Sequence, residues 1–107
     1  MDTQLKRGVL DALVLSTLLK ADSYGYQIIK DISPHTTLSE STLYPILRRL
    51  EHSGYLTTYS REHASRLRKY YSITPQGVQR IQDFLAEWES VMALYAYIKG
   101  VYDREKA

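Results

Sequence analysis

Between Thr3 and Lys20 the apolar residues Leu10, Leu13, Val14 and Leu18 recur at spacings of three and four without an internal proline, so the pattern predicts a helix with one apolar face. A second row on the same segment, Leu5, Gly8, Ala12 and Ser16, also repeats at three to four but consists mostly of small residues. Such a seam either admits another helix at close range or leaves a hollow. Asp22 and Ser23 then interrupt the pattern with N-cap chemistry, and Tyr24 to Ile32 continues helically despite Gly25. The run Ser33, Pro34, His35, Thr36, Thr37 stops it, because proline disfavours helical geometry in the residue before it. A third helix is expected from Ser39 or Ser41 to Ser53, with Gly54 in the left-handed capping position. With Ser41 as N-cap, Pro45 falls at the fourth helical residue and removes only the first backbone bond of that helix.

From Tyr55 the period changes. Tyr55 to Glu62 and Leu67 to Thr74 are rich in Tyr, Thr and Ile, and His63, Ala64 and Ser65 between them supply a turn, which predicts an antiparallel hairpin. Thr74 and Pro75 restart a helix with a capping hydroxyl and a proline in the first helical position. In this last helix Val78, Ile81, Leu85, Trp88, Met92 and Tyr95 step by three and four, widened by Phe84, Val91 and Ile98, out to about residue 104. An apolar face of that length needs a partner. The fold class is therefore mainly α with a small β-hairpin: a winged helix-turn-helix over residues 1–74 and a long C-terminal dimerisation helix over residues 75–107, which forms one compact unit with the first helix.

Composition narrows the chemistry. The chain of 107 residues, 44% hydrophobic, can bury a single core unaided, and its lack of cysteine removes disulfides, thiolate zinc sites and thiol catalysis. The N-terminal residues lack the layout of a secretory signal, and the longest apolar run is too short for a bilayer, so a soluble cytoplasmic protein without membrane contact is expected. Net charge is only +2, but it is unevenly placed: between Arg48 and Lys69 six Arg and Lys residues face only Glu51 and Glu62. His35, His52 and His63 do not stand at metal-ligand spacings, and neither a nucleophile elbow nor a glycine-rich phosphate loop is present. An enzyme is not expected, nor a metal or cofactor.

Placed on a helical wheel, the third helix buries Leu43, Ile46, Leu47 and Leu50 and turns Ser41, Pro45, Arg48 and His52 outward, flanked by Tyr44 and Arg49. Such a helix fits the major groove of double-stranded DNA, where arginine can donate two parallel bonds to guanine and hydroxyls can reach phosphates. Arg48 is the expected base reader. Taken alone, a helix of this composition reads more simply as an ordinary solvated one; Arg66, Arg68 and Lys69 on the neighbouring hairpin reverse that balance by extending the positive surface toward a phosphate backbone. The rival class is a winged helix that binds protein, whose exposed third-helix face would be apolar or acidic instead of basic.

The segments Tyr24-Gly25-Tyr26, Thr42-Leu43-Tyr44-Pro45-Ile46-Leu47-Arg48-Arg49-Leu50-Glu51, Gly54-Tyr55-Leu56 and Arg66-Leu67-Arg68-Lys69-Tyr70-Tyr71-Ser72-Ile73-Thr74 resemble the PadR family of bacterial transcriptional regulators over nearly the whole chain. The single long C-terminal helix is similar to the small subfamily, which implies a homodimeric repressor with a winged helix-turn-helix at each end. The family's wings usually carry glycine just before the Arg-x-Arg-Lys-Tyr-Tyr run, where this chain has Ala64 and Ser65. The residues expected to contact DNA are therefore Ser41, Thr42, Tyr44, Pro45, Arg48, Arg49 and His52 on the third helix and Arg66, Arg68 and Lys69 on the hairpin.

Trp88, the lone tryptophan, reads most simply as filler of a dimer interface. In small PadR regulators, however, the first and last helices of two subunits can enclose a hydrophobic pore where a tryptophan stacks on flat aromatic molecules. The positions here that match its lining are Leu5, Gly8, Ala12, Ser16, Trp88, Val91 and Met92, which implies a planar aromatic effector.

Overall fold

The computed structural model describes residues 3–107, with side chains from Lys6 onward. It consists of α1 (Thr3–Ser16), α2 (Gly25–Ile32), α3 (Glu40–His52), β1 (Leu56–His63), β2 (Arg66–Ile73) and α4 (Pro75–Lys106). The protein is mainly helical, with one antiparallel hairpin and a long C-terminal helix. Its core lies where α1, α2 and α3 meet beneath the hairpin: Val14, Leu15, Leu18, Ile28, Ile32, Leu43, Leu47, Leu50 and Leu56 are almost wholly removed from water. Leu15 in this core falls outside the face expected for α1.

Helix α1 stops at Ser16, four residues short of the expected Lys20. The backbone N–H groups of Thr17, Leu18 and Leu19 bond to carbonyls three residues back, and the Ser16 and Thr17 hydroxyls donate to Leu13 and Val14 carbonyls at 2.6 and 2.7 Å. These bonds tighten and end the turn while Leu18 stays in the core. Helix α2 also begins differently from expectation. Its N-cap is Tyr24, with no side-chain cap, because Ser23 is engaged elsewhere: its N–H and C=O exchange bonds with Tyr71 at 3.1 and 2.8 Å. That isolated bridge ties the start of α2 to the hairpin as a minimal third strand.

Helix α3 is capped by Ser39, whose hydroxyl accepts from the Thr42 N–H at 3.3 Å. Pro45 is consequently the sixth helical residue, and the bond it lacks is the third of the helix, to the Ser41 carbonyl. Ser41 and Pro45 are both exposed, so water can serve that carbonyl. At the far end Gly54 adopts φ +82°, the left-handed region that glycine enters without steric cost. There Tyr55 N–H reaches the Leu50 carbonyl at 2.9 Å and Gly54 N–H that of Glu51 at 3.0 Å, the Schellman pair of bonds. This close turn delivers the chain straight into β1.

The hairpin pairs Leu56 with Ile73 through to His63 with Arg66. Its loop is the pair Ala64 and Ser65 alone, with φ of 52° and 67°, as a primed two-residue turn requires; His63, expected in the turn, ends β1. Helix α4 starts on Thr74, whose hydroxyl accepts from Gly77 N–H at 3.0 Å and donates to the Gly54 carbonyl at 2.7 Å. Its 32 residues run about 48 Å, and only Ile81 of its apolar residues joins the core. Among the described residues no helix is long and apolar enough to cross a membrane.

Candidate nucleic-acid interface

The side chains of α3 divide as its capped geometry dictates. Leu43, Ile46, Leu47 and Leu50 enter the core, while Ser41, Tyr44, Pro45, Arg48 and His52 face solvent. Strand β2 runs alongside, and alternation along it sends Lys69 and Tyr71 to the side that faces α3. Between them lies a cleft of about 330 Å³. Tyr44 and Arg48 of α3 line it on one side and Lys69 and Tyr71 of β2 on the other, and Arg68 from the opposite face of the hairpin completes the lining with Tyr24, Gly25 and Tyr26. The cleft thus holds three cations and four phenols.

Tyr71 anchors this wall. It is nearly buried, and its phenol pKa is raised above 10.0, chiefly by removal from water and further by Tyr44 and Glu51, against an opposing effect of Arg48. It therefore stays a neutral donor across the neutral range, and Lys69 Nζ lies 5.6 Å from its ring centre. Glu51 is held back from the cleft by accepting from the Thr58 hydroxyl at 3.0 Å.

The remaining expected contacts do not line this cleft. Pro45 and His52 are exposed on α3, and Arg66 stands exposed beside the turn. The hydroxyls of Ser41 and Thr42 lie 3.0 and 3.1 Å from that of Ser39, within the capping cluster of α3. Arg49 points elsewhere. Its guanidinium donates to the Asp11 carboxylate on α1, where the Asp11 side chain is 10% exposed and that of Arg49 34%. Burial raises the Asp11 carboxyl above 3.8, against the opposing pull of Arg49 and the more distant Arg80 and Arg7. Arg49 is thus a strut between α3 and α1, in contrast to its expected place in the row of DNA contacts.

The sequence reading missed Tyr24, Tyr26 and Tyr71 as parts of the cleft, although Tyr24-Gly25-Tyr26 carries part of the resemblance. Their signal was available only as a motif, since nothing in the periodicity of α2 brings its first turn to β2.

At the other end, α1 and α4 enclose an open hollow of about 240 Å³ lined by Val9, Ala12, Leu13 and Ser16 on one side and Ile81, Phe84 and Leu85 on the other. Ala12 and Ser16 thus form part of a small-residue seam, but the aromatic ring across from them in the same chain is Phe84. Trp88 lies one turn on, its ring centre 5.8 Å from that of Phe84. Val91 and Met92 are exposed, and a methyl group added to Gly8 would meet nothing within 4 Å. The Leu5 side chain lies outside the described residues.

The sequence pattern of the PadR-like transcriptional regulator family matches residues 14–83, from the end of α1 into α4. The chain belongs to the PadR-like family. It is a DNA-binding transcriptional regulator of the winged-helix type. An uncharacterized protein X of Lysinibacillus sphaericus is 36% identical, over 79% of this chain and 83% of its own. A transcriptional regulator from Clostridium thermocellum has a similar structure, with a TM-score of 0.80 and 35% identity over 89% of this chain and 97% of that one. Bacillus subtilis PadR, solved in complex with operator DNA, matches with a TM-score of 0.67 and 27% identity over 72% of this chain and 46% of that one.

Proposed function

We propose that two copies of this PadR-like protein pair through α1 and α4 and repress a promoter by holding α3 in the major groove and the hairpin against the phosphate backbone. The single observation that carries this reading is the cationic cleft between α3 and β2, where Arg48, Arg68 and Lys69 converge among phenols on one side of the molecule. Bacillus subtilis PadR, similar in structure, was solved in complex with operator DNA; in the docking proposed for this chain Arg48 meets base edges and Lys69, Arg68 and Arg66 meet phosphates. A symmetric pair of reading heads calls for a pseudo-palindromic operator, its half-sites about one helical turn, ~34 Å, or a multiple apart.

Gel shifts on genomic fragments selected by the purified protein test it. Affinity should fall linearly on a log–log plot against salt, by roughly 0.9 log units of affinity per log unit of salt for each phosphate contacted. Binding indifferent to ionic strength, or restricted to protein partners, would favour the interaction-module reading instead.

A planar aromatic effector fits the α1 and α4 end of the same scheme, because the hollow beside Ala12, Ser16 and Phe84 is apolar and open. Occupancy near Trp88 should quench its fluorescence and release DNA. Unchanged emission across a broad panel of flat aromatic compounds removes the effector from the scheme and leaves the repressor.

A further inference from the structure

Arg61 and Arg68 are direct cross-strand partners in the hairpin, an arrangement of like charges that costs stability unless each is otherwise satisfied. Among the described residues neither forms an ion pair. Each instead lies against a tyrosine: the Arg61 guanidinium is 5.2 Å from the Tyr70 ring centre, and that of Arg68 is 3.9 Å from the Tyr24 ring centre. The two rings meet edge to face at 5.6 Å, and Tyr59 stacks on Tyr70 at 5.5 Å while donating to Asp22 at 2.7 Å. Register explains the assembly. The bridge from Ser23 to Tyr71 sets the next residue, Tyr24, beside Tyr70, so alternation delivers their rings to the face that carries Arg61 and Arg68.

We infer that Tyr24 is a positioning residue for DNA binding: its ring draws the Arg68 guanidinium away from Arg61 and holds it at the mouth of the cleft, ready for a backbone phosphate. This rests on the reading of the cleft as a DNA interface. The face of an electron-rich ring attracts a guanidinium without neutralising it, so Arg68 keeps its full charge for the phosphate while losing its freedom to wander. A carboxylate in the place of Tyr24 would hold the arginine but cancel that charge. The ring, and not its hydroxyl, is the working part.

The test measures binding of a fluorescein-labelled mixed-sequence DNA duplex by wild-type protein and by Tyr24→Phe, Tyr24→Leu, Arg68→Ala and the Tyr24→Leu/Arg68→Ala double variant, each checked by thermal melting. Tyr24→Phe should bind within about twofold of wild type, and Tyr24→Leu should lose roughly three- to fivefold. The loss should vanish in the Arg68→Ala background. Independently of any variant's folding, the Arg68 guanidinium protons of the wild type should resonate upfield of their ordinary position, in the shielding cone of the Tyr24 ring. Additive losses, a Phe variant as weak as the Leu variant, or ordinary Arg68 shifts would overturn the role of Tyr24. If wild-type binding is absent or indifferent to salt, the DNA reading falls first and this assignment with it.

Discussion

The backbone of Gly25 passes directly beneath the phenol of Tyr44. A methyl group on its α-carbon would fall 2.8 Å from Cζ and 3.1 Å from Cε1 of that ring, well inside ordinary contact. Tyr44 is the side chain of α3 that leans over the cleft, so the absence of a side chain at Gly25 is what lets it lie there. Gly25→Ala should therefore push Tyr44 off its position. Since the ring is the free end of a half-open side chain, the fold itself should give little: melting should change slightly, whereas operator affinity should drop about tenfold, the worth of one contact of roughly 1–3 kcal/mol. A large fall in melting temperature with affinity unchanged in the folded fraction would contradict this.

Arg48 and Lys69 face each other across the cleft and should fail differently when removed. Arg48→Ala should cost roughly 1–3 kcal/mol on the selected operator and flatten the preference at one base position, because a bidentate arginine reads a base edge. Lys69→Ala should weaken operator and mixed-sequence duplex alike and reduce the salt slope by about one contact. Competition binding against single-base operator variants separates them, and identical behaviour of the two variants would reduce Arg48 to a phosphate contact.

The pair Arg49 and Asp11 belongs to stability. Arg49→Ala leaves a mostly buried carboxylate without its cation and should lower stability by roughly 1–3 kcal/mol, with the partial exposure of Arg49 keeping the loss below that of a fully buried pair. The pH dependence has a defined sign. Because burial already raises the Asp11 carboxyl above 3.8, its contribution is fully present below that value and is lost as pH rises through the folded pKa. Removing Arg49 should move that folded pKa further up and widen the window of loss. Carboxyl carbon NMR titration of wild type and variant measures it, and a downward move would be incompatible with the pairing.

Much of this arrangement was legible in the sequence wherever a local rule decided it. The apolar face of α3, Gly54 as its left-handed cap, the Thr74 and Pro75 start of α4 and the hairpin all follow from spacing and capping chemistry, and the structure contains each. What escaped was settled by tertiary contact. Ser23 has N-cap chemistry but spends its backbone on Tyr71. Arg49 sits at the edge of an exposed helical face, and only the packing of α1 against α3 brings Asp11 to it. The passage of Gly25 under Tyr44 joins two helices nineteen positions apart, a contact that periodicity does not encode. The cap falls to Ser39, whose hydroxyl meets the Thr42 N–H in the third helical position, and this puts Pro45 deeper in α3 than the Ser41 alternative has it.

The hairpin tip carries a cost that can be removed. Ala64 and Ser65 both hold positive φ, where a side chain crowds the following carbonyl. Replacing them with Asn and Gly, the residues that a primed turn accepts without strain, should raise stability by about 1 kcal/mol and sharpen amide exchange protection in β1 and β2. DNA affinity should stay within about twofold, since Arg66, Arg68 and Lys69 keep their register. A loss of stability would mean that the turn is not of the primed type.

The C-terminal half of α4 offers the last prediction. Leu94, Tyr97 and Ile98 are each 66% exposed in the single chain, and Met92, Tyr95 and Tyr102 are more than half exposed. Burying large apolar side chains of this kind stabilises by roughly 1.5–3 kcal/mol each, far more than surface residues on a helix otherwise contribute. Left in water they would make α4 fray or aggregate, so a partner helix is the economical solution. The proposed pairing of two copies predicts a wild-type dimer in sedimentation velocity and its conversion to a monomer by Met92→Asp or Tyr95→Asp. Either change should lower operator affinity steeply while leaving the winged-helix core folded, since only Ile81 of α4 joins that core. A variant that sediments as wild type would show that this face is not the seam between subunits, and the pairing of α1 with α4 would then have to be sought on the side bearing Leu94 and Tyr97.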